Sequence, residues 1–541
     1  MAIAQQFIAA NFNKPGCEII DHHIYVMVSD GDLMEGISHE AASLAGHLRL
    51  GSLIFLYDNN QISIEGSTQL TFTEDVLKRF DAYGWHIQEV DDGNDIGAIH
   101  RAIEKALRDP RPSFVSIRTV IGYGSPNKQG TSKVHGEPLG AEEAKLTKKN
   151  LGCPVEPFYV SEEALDHFRK AVEQGNKWEK EWNIKYEDYR RAYPEEATKL
   201  ESLFKGELPS NWDKNLPQFE PDKKGMPTRV ASGRVLNILA SRIPNIIGGS
   251  ADLGPSNKTI ISGTGDFGAG NYKGRNLRFG VREHAMGAIL NGMAIYNGLI
   301  PYGGTFLVFS EYMRPAIRMA ALMNLKVIYI FSHDSIGVGE DGPTHQPIEQ
   351  LASLRAIPGL TVIRPCDANE VVEAWKYAIE KKDGPVALIL TRQTVPVIDR
   401  NKFNPATGLQ KGAYILKEAR NKMKVILIAT GSEVYPAIGA AEILESKGIG
   451  TRVVSMPSWE IFDAQPHDYK KQVIPPGFIK IAIEAGVSSG WHKYVGCQGE
   501  IIGMDKFGAS APYNVLFEKF GFTAEAIAKR VETIINKRKK N

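Results

Sequence analysis

Two strand ends within Ile24 to Ile62 carry the first residues whose types and spacing could do chemistry. One apolar run ends in Ser29-Asp30-Gly31 and a second ends in Asp58-Asn59-Asn60. A helix-like segment joins them, so the pattern predicts a βαβ unit with an oxygen ligand at each strand's carboxyl end. Ligands of open parallel sheets bind beyond those ends, which would set Asp30 and Asn60 facing one another. A carboxylate, a side-chain amide and a backbone carbonyl suit Mg²⁺, which prefers hard oxygens and completes its octahedron with phosphate oxygens and water. Gly31 would let the backbone approach a phosphate with no Cβ in the way. The sequence has no GxxxxGK[ST] loop, which disfavours a P-loop nucleotide. Read alone, Asp30 is more simply the Asp of a common turn; the paired strand ends bring the two readings level.

A second cluster lies in HDSIGVGEDGPTHQPIEQL, His333 to Leu351, where two histidines, four acids and three glycines directly follow an apolar run. Upstream, FGVREHAMGAILNGMAIYNG sets Glu283 at a strand-to-helix junction among apolar neighbours, where burial would raise a carboxyl's pKa. His135 sits in the Gly-rich loop Gly122 to Gly140, and a lone loop histidine is more often simply solvated.

The elements that must position these groups follow from hydrophobic period. The chain starts with a helix carrying Ile3, Phe7 and Ile8 on one face. In the first domain, residues 1–160, strands are expected at Ile24–Val28, Leu53–Tyr57, Trp85–Val90 and Pro112–Val120, with Ile96, Ile99, Ile103 and Leu107 on one face of a helix from Asp95. Residues 161–225 read as a helical connector whose Trp178, Trp182, Tyr186 and Tyr189 form a stripe packed on a neighbouring domain. A second α/β domain, 226–410, has strand candidates at Asn245–Gly248, Leu277–Val281, Lys326–Phe331, Leu360–Ile363 and Val386–Leu390. Asp252, Glu283, His333 and Arg392 follow strand ends there. A third, 411–541, has strands at Val425–Ala429, Arg452–Ser455 and Ile479–Ile483, a closing helix from Thr523, and a terminal basic run, Lys537 to Lys540, that complements the helix dipole. The fold class is α/β, with mainly parallel sheets flanked by helices.

With 541 residues the chain is long enough for several domains, and 64 basic against 63 acidic residues give no general electrostatic reason to expect nucleic acid or a membrane surface as partner. Cys17, Cys153, Cys366 and Cys497 show no CxxC spacing, so neither a zinc site nor a disulfide framework is indicated and a cytoplasmic setting is simplest. No run is apolar enough to span a bilayer, and the first residues do not read as a signal peptide.

Three motifs in this order, SDGDLMEG with YDNNQISI, VREHAMGAI, and HDSIGVGEDGPTHQP, closely resemble transketolase. The likeness continues through TFLVFSEYMRPAIRMAALM, RPCDANEV, ALILTRQ, IATGSEV and VVSMPS. The resemblance implies a thiamine diphosphate-binding fold, with the cofactor held by Mg²⁺ (or Ca²⁺) between the first domain of one subunit and the second domain of its partner in a homodimer. Asp30, Asn60 and the carbonyl of Ile62 would hold the metal, with Gly31 near the diphosphate. Glu283 would hydrogen-bond the aminopyrimidine, Phe306, Phe309 and Tyr312 would pack around it, Asp252 would lie near the cofactor, and Glu35 would link paired sites. Without the family, the Phe306/Phe309/Tyr312 stripe reads as core. His345 and His135 would act on the donor's hydroxyls and carbonyl, Asp341 would read its 2-hydroxyl, and Arg229, Ser256, His333 and Arg392 would bind the sugar phosphate. The implied reaction, part of the pentose phosphate pathway, moves a two-carbon ketol unit from a ketose phosphate to an aldose phosphate through a thiamine diphosphate carbanion. Dihydroxyacetone synthase and deoxyxylulose-phosphate synthase are lesser rivals.

The family pattern starts about a hundred residues before Met1, comparable to a small domain. The expectation is therefore an N-terminally truncated first domain with one flank of its sheet open. The alternative is a subunit or remnant inactive without a separate N-terminal chain. Ser29 stands where the family usually has glycine and Asp32 where it has a neutral residue, so Asp32 either disturbs the metal site or points away.

Overall fold

The computed structural model describes residues 1–540; the side chains of Lys539 and Lys540, from the terminal basic run, lie outside the described residues, as does Asn541. The chain forms two compact units, residues 1–206 with 267–274, and residues 207–266 with 275–541.

In the first unit, strands β1 (Ile24–Ser29), β2 (Leu53–Asn59), β3 (His86–Val90) and β4 (Ser113–Arg118) make a parallel sheet in the order β1-β2-β4-β3. Helices Gly36–His47, Val76–Ala82 and Ile96–Ala106 supply the crossovers that parallel pairing requires. Phe80 stacks on Phe114 at 4.0 Å and meets the edge of Trp85 at 5.2 Å, which locks one helix to the sheet. β1 is an edge strand of this sheet, with Tyr25 and Met27 exposed. Asp95 caps the Ile96–Ala106 helix as its position suggested, but the buried face differs in part. Ile99 packs on the core as expected and Ile103 is half-buried, but Ala102 and Ala106 are the buried residues while Ile96 is 73% exposed and Leu107 is also outside, because small residues allow the close helix-on-sheet approach.

The helical connector begins with Glu162–Ala192 and Pro194–Phe204. Its aromatic stripe packs, as expected, on the neighbouring first domain, at its N-terminal segment. Trp182 donates to the Ile19 carbonyl at 3.1 Å and Tyr189 to that of Phe12 at 2.8 Å, while Trp178 stays exposed. The opening helix, Ala2–Phe12, buries Ile3, Phe7 and Ile8 as expected.

In the second unit, β5 (Asp222–Pro227) leads into β6 (Ile246–Ser250), β7 (Asn276–Arg278), β8 (Ile300–Phe306), β9 (Ile328–Ser332), β10 (Thr361–Ile363) and β11 (Val386–Leu390). The last six form a parallel sheet ordered β10-β11-β9-β8-β6-β7, and β5 pairs with β12 (Thr394–Val397) in an antiparallel ribbon. β8, a central strand, was not expected from IPYGGTF, since proline and paired glycines read as a breaker. The glycines are there for packing: a Cβ on Gly303 would stand 2.5 Å from Leu290 of the helix above it. The third sheet joins β13 (Tyr414–Lys417), β14 (Met423–Ala429), β15 (Gly450–Ser455), β16 (Ile479–Ile483) and β17 (Glu500–Ile502) in the order β13-β15-β14-β16-β17, with only β13 antiparallel. No helix among the described residues is long and apolar enough to cross a membrane.

Candidate functional site

In the first unit, β1 hands its chain to a short helix, Asp30–Met34, and β2 ends in the turn Asn59-Asn60-Gln61. Asp30 is only 3% exposed, and both of its oxygens are held: Oδ1 accepts from the Tyr57 hydroxyl at 2.6 Å and Oδ2 from the Gln61 amide at 3.0 Å. Gln61 has φ +63°, a left-handed conformation unusual for a side-chain-bearing residue, and it is this residue's N–H that Asp30 accepts from. The next amide, Ile62 N–H, donates to Asn60 Oδ1 at 3.0 Å. Backbone bonds on either side of Ile62, from Thr68 to Gln61 and from Ser63 to Gly66, flank its carbonyl rather than use it. Asp30, Asn60 and Ile62 thus meet in one hydrogen-bonded turn, offering a carboxylate, an amide oxygen and a carbonyl. Such a set could hold Mg²⁺. A Cβ built on Gly31 would point into open space, so the backbone beside Asp30 has room for a diphosphate.

Asp32 points away from that turn. Its carboxylate reaches back to accept from the Ser29 amide at 2.8 Å and hydroxyl at 3.0 Å, closing a capping box on the short helix. Both departures from the family pattern therefore serve one helix start. Glu35 is exposed at the entry to Gly36–His47. His135 is half-buried on its loop, which is tied down by Glu143 through Asn127 at 2.9 Å and by Lys128 on the Leu139 carbonyl at 2.8 Å.

In the second unit the functional candidates gather at strand carboxyl ends. Glu283 opens the helix Glu283–Tyr296 just after β7 and is half-buried. After β8, Phe306 stacks on Phe309 at 5.9 Å, and Phe309 leads to Tyr312 at 6.3 Å. Tyr312 is 65% exposed, so the stripe forms a wall rather than core. His333, directly after β9, is buried face to face with Phe306 at 3.6 Å and has φ +63°. His345 meets the edge of Phe309 at 5.7 Å. Arg229 donates to the Ser256 hydroxyl at 2.9 Å, and its buried Nε has no partner.

The electrostatics of this group are one-sided. Burial, followed by repulsion from Arg392, lowers the Arg229 pKa. The His333 pKa falls to about 3 through burial, then Arg229, Arg392 and His345. Ser332 donates its hydroxyl to Asn257 Oδ1 at 2.6 Å and so must accept from His333 Nδ1 at 2.8 Å. His333 is therefore neutral with its proton on Nδ1, leaving Nε2 as an acceptor. Two guanidiniums held near one another against their own repulsion, with the neutral imidazole between Phe306 and Ser332, fit a dianionic phosphate.

Asp341 and Asp252 are exposed. Sequence reasoning missed the groups that hold the site. Gln346 donates to the carbonyls of Gly339 at 2.8 Å and Ala509 at 2.9 Å, pinning the histidine loop to the C-terminal part of the unit. Asp334, beside His333, is paired at 2.7 Å with a fully buried Arg364 that also binds Glu433. Only long-range contacts reveal that network. Tyr57 and Asp58, by contrast, stood inside the quoted YDNNQISI motif.

Comparison with known proteins bears on the same residues. Residues 1–209 match the family description "Transketolase, thiamine diphosphate binding domain", 224–397 "Transketolase, pyrimidine binding domain" and 412–523 "Transketolase-like TK C-terminal domain". The chain is 55% identical to a transketolase from Aquifex aeolicus over 98% of its own length and 77% of that protein's. It is 52% identical to one from Geobacillus stearothermophilus, over 99% and 81%. A crystal structure of Pichia stipitis transketolase with sedoheptulose 7-phosphate superposes with a TM-score of 0.95 at 44% identity, covering 100% of this chain and 80% of that one. Transketolase from Leishmania mexicana gives 0.95 at 43% identity, covering 99% and 79%.

Proposed function

The chain belongs to the transketolase family, a thiamine diphosphate-dependent family of two-carbon transferases, and we propose that it moves a ketol unit between sugar phosphates with the residues described above. One observation carries the substrate reading: Arg229, His333 and Arg392 are assembled beside Ser256 with only cationic charges acting on Arg229 and His333. That arrangement costs stability and gains a purpose only when an anion arrives.

The oxygen set and open backbone in the first unit fit Mg²⁺ and a diphosphate, so Asp30, Asn60 and the Ile62 carbonyl hold the metal, with Gly31 against the diphosphate. When bound, thiamine diphosphate supplies the electron sink for breaking and making a carbon–carbon bond. Glu283 holds a proton at the aminopyrimidine nitrogen, and Phe306, Phe309 and Tyr312 orient the ring and exclude water from one face. Asp252 lies near the cofactor, and Glu35 links paired sites. Arg229, Ser256 and Arg392 donate to the phosphate, with the neutral His333 lining the same site, and thereby set how far the sugar's carbonyl end reaches. His345 and His135 bond the donor's hydroxyls and carbonyl oxygen, where they can give or take a proton, and Asp341 reads the 2-hydroxyl.

The working form is a cytoplasmic homodimer with domains at 1–160, 226–410 and 411–541. The test is direct: Asp30→Ala and Glu283→Ala should each abolish ketose formation from hydroxypyruvate and an aldose phosphate. Unchanged rates in both would refute the assignment.

A further inference from the structure

The metal-binding turn shows a feature that ligand identity alone does not explain. An asparagine can bind a hard cation only through its oxygen, yet its amide has an oxygen end and a nitrogen end of nearly equal size. In the structure both ends of the Asn60 amide are assigned by neighbours. Its Oδ1 accepts from the Ile62 N–H at 3.0 Å, and its Nδ2 donates to Asp58 Oδ2 at 3.1 Å. The other oxygen of Asp58 accepts from the Thr119 hydroxyl, just beyond β4. Reversing the amide would set two donors face to face at Ile62 and two acceptors face to face at Asp58. The oxygen keeps a second lone pair for a cation.

We propose that Asp58, anchored by Thr119, is a positioning residue that fixes the oxygen end of Asn60 toward the divalent cation. The Tyr57 hydroxyl performs the matching service for Asp30, occupying Oδ1 at 2.6 Å while the Gln61 amide occupies Oδ2 at 3.0 Å. Asp58 and Tyr57 are neighbours on β2, with Ser29 and Asp58 in register across β1 and β2, so adjacent residues of one strand orient ligands from two strands. Partners of this kind typically contribute about 10- to 100-fold in metal affinity.

The inference rests on the metal reading given above, and its test separates the two. Mg²⁺ affinity is measured by calorimetry on metal-stripped protein at saturating thiamine diphosphate. Asp30→Ala should abolish binding; wild-type affinity there would refute the metal site itself. Asp58→Asn should weaken Mg²⁺ by about 10- to 100-fold while leaving the thermal midpoint of the metal-free protein unchanged. Thr119→Val, which alters no charge, should weaken it in the same direction. The double variant Asp58→Asn/Asn60→Asp should recover most of the loss, because a carboxylate at position 60 has no wrong end to present. If Asp30→Ala loses binding but Asp58→Asn and Thr119→Val bind like wild type, or if the double variant is as weak as Asp58→Asn, Asp58 does not orient Asn60.

Discussion

Replacing Arg392 with methionine should separate phosphate recognition from chemistry. Arg392 is half-exposed, so its removal leaves no buried charge, and its charge opposes protonation of the half-buried Arg229 and the buried His333. A hydrogen bond to a charged group contributes about 1.5–3 kcal/mol. At about 1.4 kcal/mol per decade, losing one from the bound phosphate raises KM for a ketose phosphate by about 10- to 150-fold. The free protein should melt no lower than wild type, because the variant relieves a repulsion that the substrate normally offsets. Steady-state kinetics would compare a ketose phosphate with hydroxypyruvate, and an aldose phosphate with glycolaldehyde. The unphosphorylated pair should show unchanged kcat/KM. An equal loss with both pairs would refute the reasoning, since it would place Arg392 at the reacting carbons or in the fold.

Other outcomes follow from the same geometry. Arg364→Met leaves Asp334 and Glu433 buried without their cation, and removing one partner of a buried pair costs about 3–5 kcal/mol. Thermal melting should show that loss, and an unchanged midpoint would mean the network is neutral. His333 binds its proton less well folded, near pKa about 3, than unfolded, near about 6.5. Its contribution is thus full above pH about 6.5 and falls as pH drops toward about 3, by up to about 1.4 kcal/mol per pH unit. His333→Asn should flatten that part of the stability–pH curve, and a curve that keeps its slope would exclude His333 as the cause. Gly303→Ala brings a methyl to 2.5 Å from Leu290 and should cost about 1–3 kcal/mol by chemical denaturation; a neutral result would show that the helix can yield.

The sequence made the strand ends legible because parallel sheets concentrate both apolar runs and ligands at their carboxyl termini. Asp30, Asn60, His333 and Arg392 all sit there. β8 stayed hidden because its glycines answer to a helix above the strand, which no local pattern reports. The buried face of Ile96–Ala106 was only partly legible for a related reason: Ile99 packs on the core as expected, but alanines, not the larger Ile96, allow the close approach to the sheet. The role of Asp32 could have been read, since Ser29 and Asp32 carry the spacing of a capping box. Asp334, Arg364 and Glu433 could not, because partners so far apart in sequence are joined only by the fold.

The central claim is two-carbon transfer by this chain, and isotope transfer tests it most directly. The purified protein, Mg²⁺ and thiamine diphosphate would be mixed with a ketose phosphate labelled with ¹³C at carbons one and two and an unlabelled aldose phosphate. Mass spectrometry should find both labelled carbons together in the lengthened product. Calorimetry showing bound cofactor with no label transferred would contradict the account.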